Sequence, residues 1–365
     1  MADTYIVAEI GTGHGGDLAH AEEMIHAARE AGADCTKFQY IIAREIVHPN
    51  TGSIDLPGGA TPIYERFAEL ERPLEFYVKL ASLCAKHGVD FLCTPFGVES
   101  ARHLQTLLPT AMKIASPEIN HTELLKELAT YEIPLIMSTG VSLLGDIEYA
   151  LTITGRRNVT LLHCVTAYPA PEEEYNLLVI PSLRNVLGVP VGVSDHSEDP
   201  ALVPGLAVAL GATVVEKHFT LSRDGVGLDD RIAMDPTMFT HMAATIRRID
   251  AICSLDGEHG GAKVINEFEK EYGAERIQAV LGDGIKRLSP RESISYRTTR
   301  RSLLATGDMP EGHVIRAEDI APLRAETLAP GIEPRFASEI IGARLANAVP
   351  GGGAITWDAL LTKPR

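Results

Sequence analysis

The chain has 365 residues, 45% of them apolar, and a formal net charge of −16; it can bury a large core and exceeds the ~250 residues of a single α/β barrel. An acidic balance of this size repels polyanions, and no Lys/Arg block interleaves with aromatics, so no nucleic-acid partner is expected. The longest apolar stretch, Ala201 to Val215, is interrupted by Pro204 and by glycines and falls short of the ~20 residues a membrane helix needs, so no membrane span is expected.

In chain order, Met1-Ala2-Asp3-Thr4 leads straight into an apolar run with no basic region or cleavable apolar leader, the pattern of a cytoplasmic protein. Short apolar runs then alternate with amphipathic stretches: Tyr5 to Ile10, Cys35 to Tyr40, Asp90 to Thr94, Ala111 to Ile114, Pro134 to Ser138, Val159 to Cys164, Val189 to Ser194 and Thr213 to Lys217. Helix-like segments such as Leu202 to Leu210 separate them. The pattern predicts repeated βα units on a parallel sheet, and eight parallel strands close into a (β/α)8 TIM barrel more naturally than they stay open. From Ile41 to Arg72 the chain is longer than an ordinary βα loop and rich in Gly, Pro and Thr, so a lid over the catalytic face is expected. Asn120 with Glu123 reads as an N-cap and its N3 partner. Asp235-Pro236 opens a helix whose Met238, Met242, Ile246, Ile249 and Ile252 form one apolar core stripe. Cys35, Cys84, Cys93, Cys164 and Cys253 have no C-x-x-C spacing and mostly lie in apolar runs, as reduced structural cysteines do.

The segment Ser254 to Arg297 reads as helix and linker, and the remainder repeats itself. Met309-Pro310-Glu311-Gly312 through Ile320 is echoed by Val349-Pro350-Gly351-Gly352 through Leu360, implying two turn-strand-turn units about a pseudo-twofold. The expected organisation is a barrel over residues 1–283, a linker over 284–298 and a small domain over 299–365. So thin a core should lean on a larger surface.

In such a barrel the chemistry sits where strands run out into loops. His196, in Val193-Ser194-Asp195-His196, and His218, in Glu216-Lys217-His218-Phe219, hold that position on neighbouring strands and suggest a divalent metal site. The same placement suits loop-capping hydrogen bonds, and two nitrogens are too few to identify a metal alone. Lys37, Lys113, Lys217 and Arg231 stand at strand ends of an otherwise acidic chain and would attract an anion, or else snorkel to water. Thr94, Ser116, Ser138 and Ser194 follow strands in turn and suit phosphate oxygens. Glu9, Glu118, Glu216 and Asp229 fall in the same register, where a carboxylate could orient hydroxyls or act as a base. Gly11-Thr12-Gly13-His14-Gly15-Gly16 departs from the G-x-G-x-x-G fingerprint and carries little weight for dinucleotide binding.

Taken together, Ala8-Glu9-Ile10-Gly11, Lys37-Phe38-Gln39, Thr94-Pro95-Phe96, Lys113-Ile114-Ala115-Ser116, Ser138-Thr139-Gly140, His163-Cys164 with Tyr168-Pro169, Ser194-Asp195-His196 and Glu216-Lys217-His218-Phe219 resemble the N-acetylneuraminate (sialic acid) synthase family. The tail from about Thr299 to Leu360 is similar to that family's antifreeze-like (SAF) domain. The resemblance implies condensation of phosphoenolpyruvate with an N-acyl amino sugar such as N-acetylmannosamine or a 2,4-diacetamido-trideoxy hexose, with phosphate release. It further implies a divalent metal, Mn2+ first with Mg2+ or Co2+ as substitutes, held by His196 and His218. Lys37, Lys113, Thr94, Ser116, Ser138 and Ser194 match its phosphoenolpyruvate-binding positions, and Gln39, Tyr168 and Asp229 match positions facing the sugar or metal. Glu9 and Glu216 would stabilise developing positive charge, and Glu118 would activate water. The implied assembly is a domain-swapped homodimer in which Arg324 reaches the other chain's site. Gly13, Pro117, Thr166 and Leu228 depart from the family pattern, mostly near the sugar pocket, which bears on the acceptor more than on the chemistry.

Two other readings compete. A Schiff-base aldolase would use Lys113 or Lys217 as a desolvated nucleophile, and borohydride trapping separates it from a metal enzyme. A carbohydrate-binding protein would need neither metal nor phosphoenolpyruvate.

Overall fold

The computed structural model describes residues 3–56, 59–225, 227 and 229–361; Leu228 therefore lies outside the described residues. Eight parallel strands form one sheet: β1 (Tyr5–Gly11), β2 (Cys35–Tyr40), β3 (Asp90–Pro95), β4 (Met112–Ile114), β5 (Leu135–Ser138), β6 (Val159–Cys164), β7 (Val191–Asp195) and β8 (Val214–His218). Their order is β3-β2-β1-β8-β7-β6-β5-β4. The strands curl so that β3 and β4 come side by side, closing a barrel that lacks a ladder only at that seam. The predicted (β/α)8 architecture is what the chain forms.

Period-two alternation decides what each strand offers to the inside. Val7, Cys35, Leu92, Ile136, Leu162 and Val214 form a buried apolar plug in the barrel. Their neighbours Ile6, Ala8, Phe38, Cys93, Met137, Leu161 and Val215 belong to the larger core shared with the helices. Two residues beyond the plug, the same inward parity presents Glu9, Lys37, Thr94, Ser138, Cys164 and Glu216, with Lys113 and Ser194 in step on β4 and β7. A polar storey thus sits on an apolar one. Each fully buried Val or Leu in the plug contributes roughly 1.5–3 kcal/mol, which helps offset confining charges above it.

Local chemistry explains the helices around this frame. Asp17 caps Leu18–Glu30 by accepting from Ala19 N at 2.8 Å, and that helix buries Ala21, Met24, Ile25 and Ala28 along one stripe. Asp235 caps Pro236–Asp256 by accepting from Met238 N at 2.9 Å, and Met242, Ile246 and Ile249 are buried as the pattern predicts. The predicted Asn120 cap is not formed. The helix is Thr122–Ala129, and His121 accepts from Leu124 N at 3.3 Å. Asn120 instead pairs with the backbone of Arg301, its Nδ2 donating to Arg301 O at 2.8 Å and its Oδ1 accepting from Arg301 N at 3.1 Å. Tertiary pairing has taken the side chain that local propensity assigns to the helix.

The long segment after β2 folds as a short helix Ala43–Ile46, an antiparallel hairpin Ser53–Leu56 with Gly59–Pro62, and a helix Ile63–Ala68. The tail begins with a helix Pro290–Thr299, closed by a capping box between Ser289 and Glu292. Glu292 is buried and also accepts from Val141 N at 2.6 Å and Thr166 N at 3.0 Å, clasping the linker to the loops after β5 and β6. Beyond it, Leu303, Ala305, Met309, Ile315, Ile340, Leu345, Val349 and Ile355 make a separate small core. The repeats pair reciprocally: Met309 and Val349 exchange backbone hydrogen bonds at 2.8 Å each. Gly312 N donates to Leu345 O at 2.9 Å as Gly352 N donates to Ala305 O at 2.8 Å.

Candidate active site

The inward storey of the barrel opens into a cavity of about 210 Å³ lined by Glu9, Lys37, Gln39, Lys113, Ser116, Ser138, Tyr168, Ser194, His196, Glu216, His218, Asp229 and Arg324, together with Phe67, Phe96 and Cys164. Thirteen of the fifteen residues expected at the site therefore meet in one place.

Lys37 Nζ lies 3.0 Å from Glu216 Oε1 and 3.3 Å from Glu9 Oε2. Lys113 Nζ donates to Ser138 Oγ at 2.6 Å and to Ile114 O at 3.1 Å, with Glu216 Oε1 at 3.8 Å. Ser194 Oγ donates to Glu216 Oε1 at 3.1 Å, and Gln39 Nε2 donates to Glu9 Oε1 at 2.7 Å. Burial presses the Lys113 ammonium down to about 8, with Glu216 opposing and Lys37 adding to the fall. Lys37 is pressed down by burial too, but Glu216 and Glu9 outweigh it and leave its ammonium firmer than usual. Burial pushes the Glu216 carboxyl up, yet Lys113 and Lys37 reverse this and hold it below the ordinary range. The Lys37–Glu216 pair is thus held charged in a nearly dry space. Glu9 Oε2, Glu216 Oε2 and Thr94 Oγ1 are buried without a hydrogen-bond partner, and such orphans mark a site that a polar ligand completes.

The two imidazoles stand above this storey, ring centroids 5.5 Å apart, with Tyr168 over His196 at 4.3 Å. His196 Nδ1 donates to Val165 O at 2.9 Å. That bond places the hydrogen on Nδ1 and leaves Nε2 as a lone-pair donor, the outer-shell device by which metal-binding histidines are oriented. His218 Nδ1 lies 3.5 Å from Asp229 Oδ2. Burial lowers both imidazoles, with the Val165 carbonyl opposing at His196 and Asp229 opposing at His218, so both favour the neutral, ligating form. Among the described residues no group of three or more His, Cys, Asp and Glu converges. The donor set fits a catalytic divalent ion on two imidazoles, with water or substrate oxygens in its other positions.

Other expected residues are placed elsewhere. Lys217 has outward parity on β8 and does not line the cavity; its Nζ donates to Asp195 Oδ2 at 2.6 Å and to Ser197 O. Arg231 is exposed and away from the cavity. Thr94 is buried at the edge of the storey. Cys164, expected to be a core residue, is buried but lines the cavity, its Sγ 3.9 Å from His196 Nδ1; burial, with Glu292, pushes the thiol up to about 11 and keeps it protonated.

Glu118 lies behind the cavity wall, where its Oε1 accepts from Arg324 Nε at 3.1 Å and Nη2 at 2.7 Å, and from Arg301 Nε at 3.2 Å and Nη2 at 2.9 Å. Arg301 and Arg324 are directly opposite on the antiparallel pair Arg301–Ala305 and Ile320–Arg324. Like charges so placed repel, and convergence on one carboxylate compensates. Arg301, only 1% exposed, also donates to Phe96 O at 2.7 Å, Pro322 O at 3.2 Å and Glu45 O. No sequence pattern flagged it, since its partners lie far off in the chain. Arg324 reaches the barrel of its own chain, whereas the resemblance implies the other chain's. Glu118 is thus turned toward holding Arg324 and away from the space where water would be activated.

A family model described as the NeuB family matches residues 24–256, and a SAF domain model matches residues 300–361. The chain belongs to the NeuB family. It is 34% identical to the spore coat polysaccharide biosynthesis protein SpsE of Bacillus subtilis, across 99% of this chain and 95% of that protein. The crystal structure of that protein superposes with a TM-score of 0.82 at 33% identity, covering 100% of this chain and 96% of the other. An N,N'-diacetyllegionaminic acid synthase of Legionella pneumophila is 32% identical over 97% of this chain and 94% of its own. The N-acetylneuraminic acid (sialic acid) synthetase of Leptospira borgpetersenii, solved with citrate, has a TM-score of 0.62 at 29% identity, covering 81% and 92%. The family's relatives include acid synthases, and among the described residues no helix is long and apolar enough to cross a membrane.

Proposed function

We propose that the chain is a nonulosonic (sialic-type) acid synthase that condenses phosphoenolpyruvate with an N-acyl amino sugar aldose, either N-acetylmannosamine or a 2,4-diacetamido-trideoxy hexose. One observation carries the reading: Lys37, Lys113, Glu9 and Glu216 share a buried storey directly beneath two oriented imidazoles. The names of the relatives, which include legionaminic and sialic acid synthases, support the product class.

In this reading Lys37 and Lys113 bind the phosphate and carboxylate of phosphoenolpyruvate, with Ser116, Ser138, Ser194 and Thr94 as hydroxyl partners. Gln39, Tyr168, Asp229 and Arg324 face the sugar. His196 and His218 would hold a divalent ion, Mn2+ by preference and otherwise Mg2+ or Co2+, which would supply Lewis-acid polarisation of the aldehyde. The enol carbon then bonds to the aldehyde carbon, leaving positive charge at C2 that Glu9 and Glu216 stabilise. Water adds at C2, one of its protons passing by way of Glu9, whose Oε2 pairs with Lys37 at 3.3 Å, to the alkoxide left by the aldehyde. The C2–O bond breaks, phosphate departs and C2 becomes the carbonyl of the keto acid. Glu118 serves here as the positioning group for Arg324. The implied homodimer remains part of the proposal, as does a cytoplasmic location.

Incubation with Mn2+, phosphoenolpyruvate and a panel of N-acyl hexosamines is expected to release phosphate with at least one sugar. With 18O in the bridging position the label should appear in phosphate. No release with any sugar would sink the reading.

The Lys113 ammonium near 8 gives a pH test. The unfolded lysine titrates near ~10.4, so the folded chain holds fewer protons between the two values. The cost of burying the ammonium is present below pH 8 and relieved as pH rises, but the charge that grips the anion is lost over the same span. Calorimetric titration from pH 7 to 9.5 should show the phosphoenolpyruvate Kd weakening by up to about tenfold per unit above pH 8. Lys113→Met should bind weakly at pH 7 and show no such slope. An unchanged wild-type Kd to pH 9.5 contradicts the assignment.

That same depressed ammonium favours a Schiff-base aldolase as the second reading. It now rests on Lys113 alone, since Lys217 is engaged by Asp195. A borohydride-stable adduct with pyruvate would mark it.

A further inference from the structure

We infer that Phe67 sets the length of the acyl arm that the acceptor sugar carries into the site, an inference that rests on the synthase reading above. Phe67 stands on the lid helix Ile63–Ala68 and borders two hollows. On one side is the catalytic cavity of about 210 Å³; on the other is a pocket of about 170 Å³ walled by Ile54, Ile63, Leu70, Arg66 and Glu326. Among the described residues no other borders both. The ring is half-buried, packs against the cluster of Ile41, Ile46, Val47, Ile63 and Phe96, and lines the cavity beside Phe96, so it is a partition held from the catalytic side.

The chemistry of the second pocket selects its occupant. Ile54, Ile63 and Leu70 supply aliphatic surface to which the Arg66 stem adds; the Arg66 guanidinium reaches Glu69 through Nη1 at 3.3 Å, while its Nε is buried without a hydrogen-bond partner. Burial pushes the Glu326 carboxyl up, against Arg324 and Arg301, which makes it a poor anchor for a cation. Hydroxyls and charges would enter at a desolvation cost, whereas alkyl carbon gains. On an amino sugar the carbons that qualify are those of its acyl substituents and of any deoxy position. A deoxy methyl is too short to pass an aromatic ring, so an acyl arm is the group that can.

Size agrees with this choice. Pockets that enclose drug-sized ligands run to about 300–1,000 Å³, and the catalytic cavity alone is smaller than that. With the partition in place the acyl arm must end at the ring; without it, the arm extends into the apolar pocket. Both walls of that pocket come from outside the barrel, from the lid and from Glu326 of the tail, so the acceptor's arm is measured by parts that do not perform the condensation.

The test compares wild type, Phe67→Ala and Phe67→Leu. The acceptors are N-acetylmannosamine and a 2,4-diacetamido-trideoxy hexose, each beside its N-butanoyl homologue, with phosphate release and product mass spectrometry as readouts. In F67A the ratio of kcat/KM for butanoyl over acetyl should rise at least about tenfold above wild type, the discrimination one or two methylenes carry in an apolar pocket. F67L should fall between. The phosphoenolpyruvate Kd, measured by calorimetry, should stay within about twofold, because Phe67 touches none of the anion-binding lysines in this reading. A ratio unchanged in both variants, or an equal loss for every acceptor, overturns the inference while leaving the synthase reading intact. Wild-type enzyme that releases no phosphate with any acceptor overturns the synthase reading, and the inference with it.

Discussion

Removing either imidazole, by His196→Ala or His218→Ala, is expected to lower kcat by about a thousandfold or more while phosphoenolpyruvate still binds. Binding of the anion falls to Lys37 and Lys113 in the storey below, whose contacts run to Glu9, Glu216 and Ser138 and to neither histidine. Lewis-acid polarisation of the aldehyde is worth several kcal/mol. Chelation by EDTA should reproduce the loss, with recovery on adding Mn2+. Asp229→Asn is a graded version: it removes the carboxylate 3.5 Å from His218 Nδ1, and outer-shell losses of this kind weaken metal binding about 10–100-fold. Electron paramagnetic resonance of bound Mn2+ would separate lost metal from lost catalysis. Full activity after exhaustive chelation would refute the metal assignment.

The second large effect is expected at a residue that touches no substrate. Arg301→Met should cut activity at least about a hundredfold while leaving the barrel folded. The guanidinium is buried against Glu118 and four backbone carbonyls, two from the lid, one from the loop after β3 and one from the tail. Removing it strands the buried backbone carbonyls it satisfies, each at a cost of about 1–3 kcal/mol, and leaves Glu118 to Arg324 alone. Here the penalty falls on the contact between tail and barrel, and Arg324 loses the alignment it has through Glu118. Because Glu118 also holds Arg324, adding Glu118→Leu to Arg301→Met strands the second guanidinium, so neither thermal stability nor kcat should recover. Unfolding curves and steady-state kinetics on the single and double variants give the cycle. Near-wild-type turnover in the single variant would show that Arg301 does not position Arg324.

Much of the site is legible from strand periodicity. Glu9, Lys37, Ser138, Ser194 and Glu216 occur at strand ends, and alternation with the apolar plug fixes which way each points. The same rule turns Lys217 outward, although its neighbours Glu216 and His218 face in; a reading by position alone groups all three. Long-range pairing is less readable. Arg301 meets Glu118 only because the tail hairpin brings it opposite Arg324, and Asn120 leaves its expected cap for the Arg301 backbone. Phe67 escaped notice because a lid residue acquires a role only once its helix is docked.

The lid and the tail are stitched to one another as well as to the barrel. Thr327 Oγ1 donates to Thr51 O, Asn50 Nδ2 donates to Gly351 O at 2.9 Å, and His48 Nε2 sits 3.4 Å from Thr306 O. In the synthase reading, a lid that opened to admit the sugar would have to break these contacts or carry the tail with it.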